Sequence, residues 1–343
     1  MRTLKEIILV KLAADLINDS SIRKIMKQFN DETWKNTIRR RLSAFDIPLT
    51  LKEEVIDLMK PIAVEVNMWE VDHNSIFTTR QKRSLKFCFH ADGTVDRVKT
   101  ADSLIHSEVL DVQTRFLLAC QYWSSYDILN FFKKVRKNTR NRILRKYSKE
   151  KHNLNEHQKN VVKWVEHYRA GSPSRRWAIW TLPSLQSRRL DDVSRKECER
   201  ILNRLLVVTT QMHIGRFCLS RMNACEREVL IASIPLKVLR IYLFWPYQHF
   251  FMDAANKVWG RLSGEDFTWL LHIIICQKIL ALWKDFHYVD LLRQFWHGSP
   301  DHLKQYVEGT DIFETLVEIV KNGFNPKDAP TYLCSYFRCS NDN

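Results

Sequence analysis

The sequence predicts an all-α protein, built as an irregular α-solenoid of stacked helical hairpins. Three observations predict it. Glycine and proline number only 8 and 9 in 343 residues, against roughly 7% and 5% in average proteins, so turns needing φ > 0 or a locked φ are scarce. Apolar residues recur at the helical spacing i, i+3, i+4, i+7 along most of the chain. Residues that cap helix N-termini stand in front of several of these stripes. Hydrophobic residues make up 45%, enough for a packed core, which excludes wholesale disorder.

The elements follow in chain order. Ile22, Ile25, Met26 and Phe29 form a one-sided stripe. Asp31 is placed to cap the next helix, with stripe Trp34, Ile38, Leu42 and Phe45, stopped before Pro48. Thr50 and Glu53 have capping-box spacing, and the helix they start is expected to bury Val55, Leu58 and Met59 and to kink or end at Pro61. The single strand candidate is a β-hairpin near 85–95, where Leu85, Phe87 and Phe89 alternate and Asp92-Gly93 suits a tight turn.

Asp111 precedes a helix through Phe116, Ala119, Cys120 and Trp123. Ser125 is expected to cap another with Ile128, Leu129, Phe132 and Val135. Further stripes are Val161, Trp164, Val165 and Tyr168, then Ile201, Leu202, Leu205 and Val208. Phe250, Ala254 and Val258 follow, then Phe267, Leu270, Leu271 and Ile274, then Leu291, Leu292 and Phe295. Ser299-Pro300 predicts a cap with proline at the first helical position, and Gly309 a helix end. Phe313, Leu316, Val317 and Val320 complete the series before Gly323. About a dozen helices of two to four turns are expected.

Composition divides the chain. Residues 1–170 read as an N-terminal helical lobe containing a basic segment at 133–151. Residues 171–192, with Gly171-Ser172-Pro173-Ser174 and two Arg-Arg pairs, read as linker-like. Residues 193–324 read as a C-terminal helical lobe, and 325–343, with Pro326 and Pro330, as a loosely ordered tail.

Stacked amphipathic helix pairs are the pattern of repeat proteins. The run Thr114-Arg115-Phe116-Leu117-Leu118-Ala119-Cys120, then Tyr122, Asp127-Ile128-Leu129 and Phe131-Phe132, resembles the two-helix part of an ankyrin repeat. Thr114 falls where that motif's T-P-L-H-x-A run begins, and Ala119 falls on its alanine. The proline, histidine and turn glycine are missing, and one extra residue lies between the helices. The resemblance covers about 50 of 343 residues and implies a protein-binding scaffold; it attaches the whole chain to no named family.

Motifs for chemistry are absent. No H-E-x-x-H, C-x-x-C, G-x-S-x-G, G-x-G-x-x-G or P-loop occurs, so the sequence points to no catalytic residue, metal, cofactor or small-molecule substrate. Glu265 and Asp266 read as helix-capping charges. Twelve histidines and eight cysteines form no ligand spacing, and several cysteines sit inside apolar stripes, as Cys120 and Cys276 do. Such usage suggests a reduced protein of the cytoplasm or nucleus. The N-terminal residues lack the pattern of a secretory signal. The most apolar stretches carry Lys237 and Arg240, or His272 and Lys278, which argues against membrane spans.

Charge is the strongest local anomaly. Of the formal net charge of +15, residues 127–200 carry +12, from 20 basic and 8 acidic side chains. Lys133, Lys134, Arg136, Lys137, Arg140, Arg142, Arg145, Lys146, Lys149 and Lys151 accompany a single acid, Glu150. Like charges so dense repel one another and contribute nothing to folding; they read either as a solvated face or as a surface for an anionic partner, whether protein, nucleic acid or an anionic membrane surface. The expected partner is another protein with an acidic surface. The alternative is nucleic acid held by its phosphates without sequence readout, with Arg175, Arg176, Arg188 and Arg189 extending the patch.

Overall fold

A computed structural model describes residues 3–147, 153–171 and 180–323. Among these the fold is all-α, with no strand. The chain divides into two compact units, Met1–Leu202 and Asn203–Asn343.

Unit 1 begins with α1 (Leu4–Ile17), α2 (Ser20–Gln28), α3 (Asp31–Leu42) and α4 (Leu49–Asp72). α1 and α3 both pack on α4. The caps are local: Thr3 and Glu6 form a capping box on α1, Asp19 caps α2 and Asn30, one residue before the expected Asp31, caps α3. Pro61 neither ends nor interrupts α4, which runs on to Asp72. A proline inside a helix costs ~3 kcal/mol; against that, Val55, Ile56, Met59, Ile62 and Trp69 are all at 0% exposure, and burial outweighs the penalty. The Thr50–Glu53 capping box does not form, because α4 already begins at Leu49 after Pro48. Glu53 instead accepts two hydrogen bonds from Arg39, at 2.7 and 2.8 Å, tying α3 to α4.

The expected hairpin near 85–95 closes only one antiparallel bridge, Phe89–Val95. Its turn does form, with Gly93 at φ +82°. The ladder is lost because side chains take the backbone groups: Asn18 bonds both the amide and the carbonyl of Phe87 at 2.8 Å, and Thr100 accepts from the Cys88 amide at 2.9 Å.

After α5 (Thr79–Ser84) come α6 (Arg97–His106), α7 (Val112–Tyr122), α8 (Ser125–Lys134), α9 (Lys137–Lys146) and α10 (Glu156–Arg169). α7 packs against α6, α8 and α10. Its core is aromatic: Trp164 stands edge-on to Phe116 and Phe132, with ring centroids 5.2 and 5.1 Å away, and stacks on Tyr168 at 5.2 Å. The stretch that resembles an ankyrin pair forms α7 and α8, capped by Asp111 and Ser124. In the segment expected to link the lobes, residues 172–179 lie outside the described residues. The short α11 (Leu182–Leu185) packs on α7, and Leu185, Arg189 and Leu190 are buried. α12 (Arg195–Val208) spans the division between the units.

Unit 2 contains α13 (Met212–Arg221), α14 (Ala224–Ser233), α15 (Pro235–Tyr242), α16 (Phe251–Val258), α17 (Gly264–His272), α18 (Tyr288–Gly298), α19 (Asp301–Glu308) and α20 (Phe313–Asn322). A π-helical stretch, Ile273–Ile279, continues α17. α15 packs on α13, α14 and α16, α17 on α19, and α18 on α16 and α20. Ser263 and Asp266 form the capping box at α17. Ser299 does not cap α19; its hydroxyl donates to the Trp296 carbonyl, and Pro300 stands at the N-cap. The aromatic run 244–251 is split, Phe251 being fully buried and Phe250 exposed. Lys278 is buried, its ammonium 4.1 and 4.4 Å from the ring centroids of Phe244 and Trp283. The tail expected at 325–343 lies outside the described residues.

Candidate functional site

The basic segment folds into the end of α8, a two-residue corner and α9. α8 ends at Lys134; Val135 and Arg136 are extended, and α9 starts at Lys137. Lys133 and Lys134 complement the negative end of the α8 dipole. α9 breaks the same rule, because Arg136 and Lys137 stand at its positive end and no side chain caps it. Its foothold is Ile143, at 0% exposure, with Tyr147 just beyond it. Burial pushes the Tyr147 hydroxyl up to about 12.

Lys133, Lys134, Arg136, Lys137, Arg142, Arg145 and Lys146 are exposed, and Arg140 is half-buried with a bond to the Lys133 carbonyl. Lys146 reaches the Gln113 side-chain oxygen at 3.3 Å. Among the described residues, no carboxylate forms an ion pair with Lys133, Lys134, Arg136, Lys137, Arg140, Arg142 or Lys146. Lys149, Lys151, Arg175 and Arg176 lie outside the described residues.

Two residues of the cluster, Lys134 and Arg136, line a groove of about 990 Å3 bounded by α6, α7, α8, the start of α9 and Arg188. Its apolar wall is Val112, Trp123, Phe131 and Val135. The ring faces are taken: Phe131 stacks on Phe116 at 6.4 Å, and the Arg115 guanidinium lies 5.4 Å from its centroid. Trp123 is 7% exposed. Arg115 is aimed by a 2.6 Å bond from its Nε to the Ile105 carbonyl.

Three carboxylates share the wall. Asp102 is engaged inside the fold, paired with Arg188 and accepting from Trp123 Nε1 at 2.6 Å. Asp127 accepts from the Ser124 hydroxyl at 2.7 Å as part of the α8 cap. Glu108 is exposed. Arg115, Lys134 and Arg136 line the same groove; with Asp102 paired to Arg188, three cations share it with two carboxylates, Asp127 and Glu108.

The adjacent pair Arg188 and Arg189 separates. Arg188 lines the groove. Arg189 is 5% exposed and donates from Nε to the Trp123 carbonyl at 3.1 Å. Burial brings its pKa down to about 10. It braces the wall and is no part of the surface patch, contrary to the sequence expectation. No motif or charge run in the sequence marks Arg115, Glu108 or Val112. Arg115 interrupting an apolar helical stripe was the one available signal.

Among the described residues, no group of three or more histidine, cysteine, aspartate or glutamate side chains is placed to hold a metal ion. No helix among them is long and apolar enough to cross a membrane. Compared with protein-family models, curated proteins and solved structures, the chain matches none.

Proposed function

We propose that this chain is a helical protein-interaction scaffold whose unit 1 binds an acidic segment of another protein along the α8–α9 cations and the adjoining groove. The observation that carries the reading is the set of exposed cations Lys133, Lys134, Arg136, Lys137, Arg142 and Lys146, which form no ion pair among the described residues, bordering a groove with an apolar wall. Folding gains nothing from this repulsion, and its field raises the encounter rate with an anionic partner. The likeness of 114–132 to an ankyrin helix pair accords with a binding role. Cys120 and Cys218 are fully buried thiols, which accords with a cytoplasmic or nuclear setting.

Nucleic acid fits the groove less well. Single strands are held by stacking on open ring faces, which Phe131 and Trp123 do not offer. The test is titration of the full chain with polyglutamate, single-stranded RNA and duplex DNA of matched charge, at low and moderate salt. The reading expects polyglutamate to bind most tightly at moderate salt, and the variant Lys133→Glu/Lys137→Glu to bind it at least about tenfold more weakly. Absence of polyglutamate binding at low salt, or tighter RNA or DNA binding at both salts, overturns it.

A further inference from the structure

The groove's walls say more about the partner than its charge does. Arg115, Lys134 and Arg136 stand around a wall made by Val112, Trp123, Phe131 and Val135. Val112 and Val135 are half-buried at the ends of helices and line the groove. A purely ionic polymer satisfies the cations and leaves this wall wet. At about 990 Å3, the groove is at the upper end of the volumes that enclose small ligands, roughly 300–1,000 Å3. Resting on the scaffold reading, we infer that the segment bound here is an acidic peptide carrying one bulky aliphatic or aromatic anchor. The anchor seats against Val112 and Val135, and its flanking carboxylates meet Arg115, Lys134 and Arg136.

The division of labour follows from the physics. Carboxylates paired at an exposed rim contribute steering and salt dependence and little affinity. An apolar side chain in a partly enclosed site contributes area-dependent affinity that salt does not screen. The anchor therefore dominates at moderate salt and the carboxylates at low salt.

The experiment titrates the full chain with three fluorescent peptides: an aspartate- and glutamate-rich peptide with a central leucine, the same peptide with alanine there, and polyglutamate of equal charge. The leucine peptide is expected to bind at least about tenfold more tightly than the alanine peptide at moderate salt. Val112→Thr/Val135→Thr is expected to shrink that ratio below about threefold by weakening the leucine peptide, since the replacement keeps shape and removes apolarity. Arg136→Glu is expected to weaken both peptides alike. Circular dichroism checks the fold of each variant, and Val112→Thr alone serves if the double variant is unstable. Equal binding of the leucine and alanine peptides overturns this inference and leaves the scaffold reading standing. A ratio unmoved by either valine variant overturns it as well. Failure of all three peptides to bind removes the scaffold reading itself.

Discussion

His73 gives unit 1 a stability that acid should remove. It follows the last residue of α4 at 0% exposure. The Trp69 carbonyl can only accept, so the 2.6 Å contact requires His73 Nδ1 to carry the proton and donate. Nε2 then accepts from the Tyr122 hydroxyl at 2.8 Å, and the indole of Trp69 stacks on the ring at 3.7 Å. The neutral imidazole thus meets both its hydrogen-bonding needs. A second proton, on Nε2, would sit in a buried site, take away the acceptor of the Tyr122 hydroxyl, and lie near Arg97, which is held by Asp72 at 2.6 Å. Burial first, and the Arg97 charge second, bring the His73 pKa from 6.5 down to about 3.

The unfolded chain therefore binds a proton below about pH 6.5 that the folded chain refuses until about pH 3. Stability is whole above the unfolded pKa and falls as pH drops, by up to ~1.4 kcal/mol per pH unit. Between pH 7 and pH 5 this amounts to about 2 kcal/mol. Burial also lowers the pKa of His157, so the comparison needs His73→Gln, which keeps the His157 contribution and removes the His73 one. Urea unfolding at pH 7, 6 and 5, with hydrogen exchange of the α4 and α7 amides to isolate unit 1, measures both proteins. The wild type should lose about 2 kcal/mol more than the variant over that interval. Equal pH slopes would refute the reasoning.

Trp164→Ala removes a ring at 0% exposure from between Phe116, Phe132 and Tyr168; it should cost ~3–5 kcal/mol in urea unfolding, and a loss below ~1 kcal/mol would contradict the packing described. Gly93→Ala places a Cβ on a backbone with φ +82°, 3.1 Å from side-chain carbons of both Ile62 and Val10, and should lower stability by ~1–2 kcal/mol; an unchanged urea midpoint would show that this turn relaxes freely. Ile143→Ala removes the buried foothold of α9 at ~2–5 kcal/mol. Its amides should then exchange faster while those of α7 keep their protection, and uniform loss across unit 1 would show that α9 is no separate opening unit.

Local rules were legible where a residue's partners lie within one helical turn. Asp111 accepts from the amides of Gln113 and Thr114 at the start of α7, as a residue before an apolar stripe should. Reading failed by one residue where neighbours were equally able to cap, as at Asn30 against Asp31 and Ser124 against Ser125. It failed more seriously where distant groups intervened. Asn18 is separated from Phe87 by 69 residues, yet it takes the hydrogen bonds that would have paired a strand. The buried face of α4 holds Pro61 inside a continuous helix through burial that no local window reveals.

Composition, periodicity and caps by themselves predicted the all-α class that the described residues show, and charge counting located a cationic segment. Only the tertiary structure decided what that segment faces. The groove joins residues from Asp102 to Arg188, and of two adjacent arginines it turns Arg188 toward the opening and buries Arg189 against Trp123. Helical period and capping are short-range and repeat along the chain, whereas a groove is the space left between helices, set by how their buried faces pack against one another.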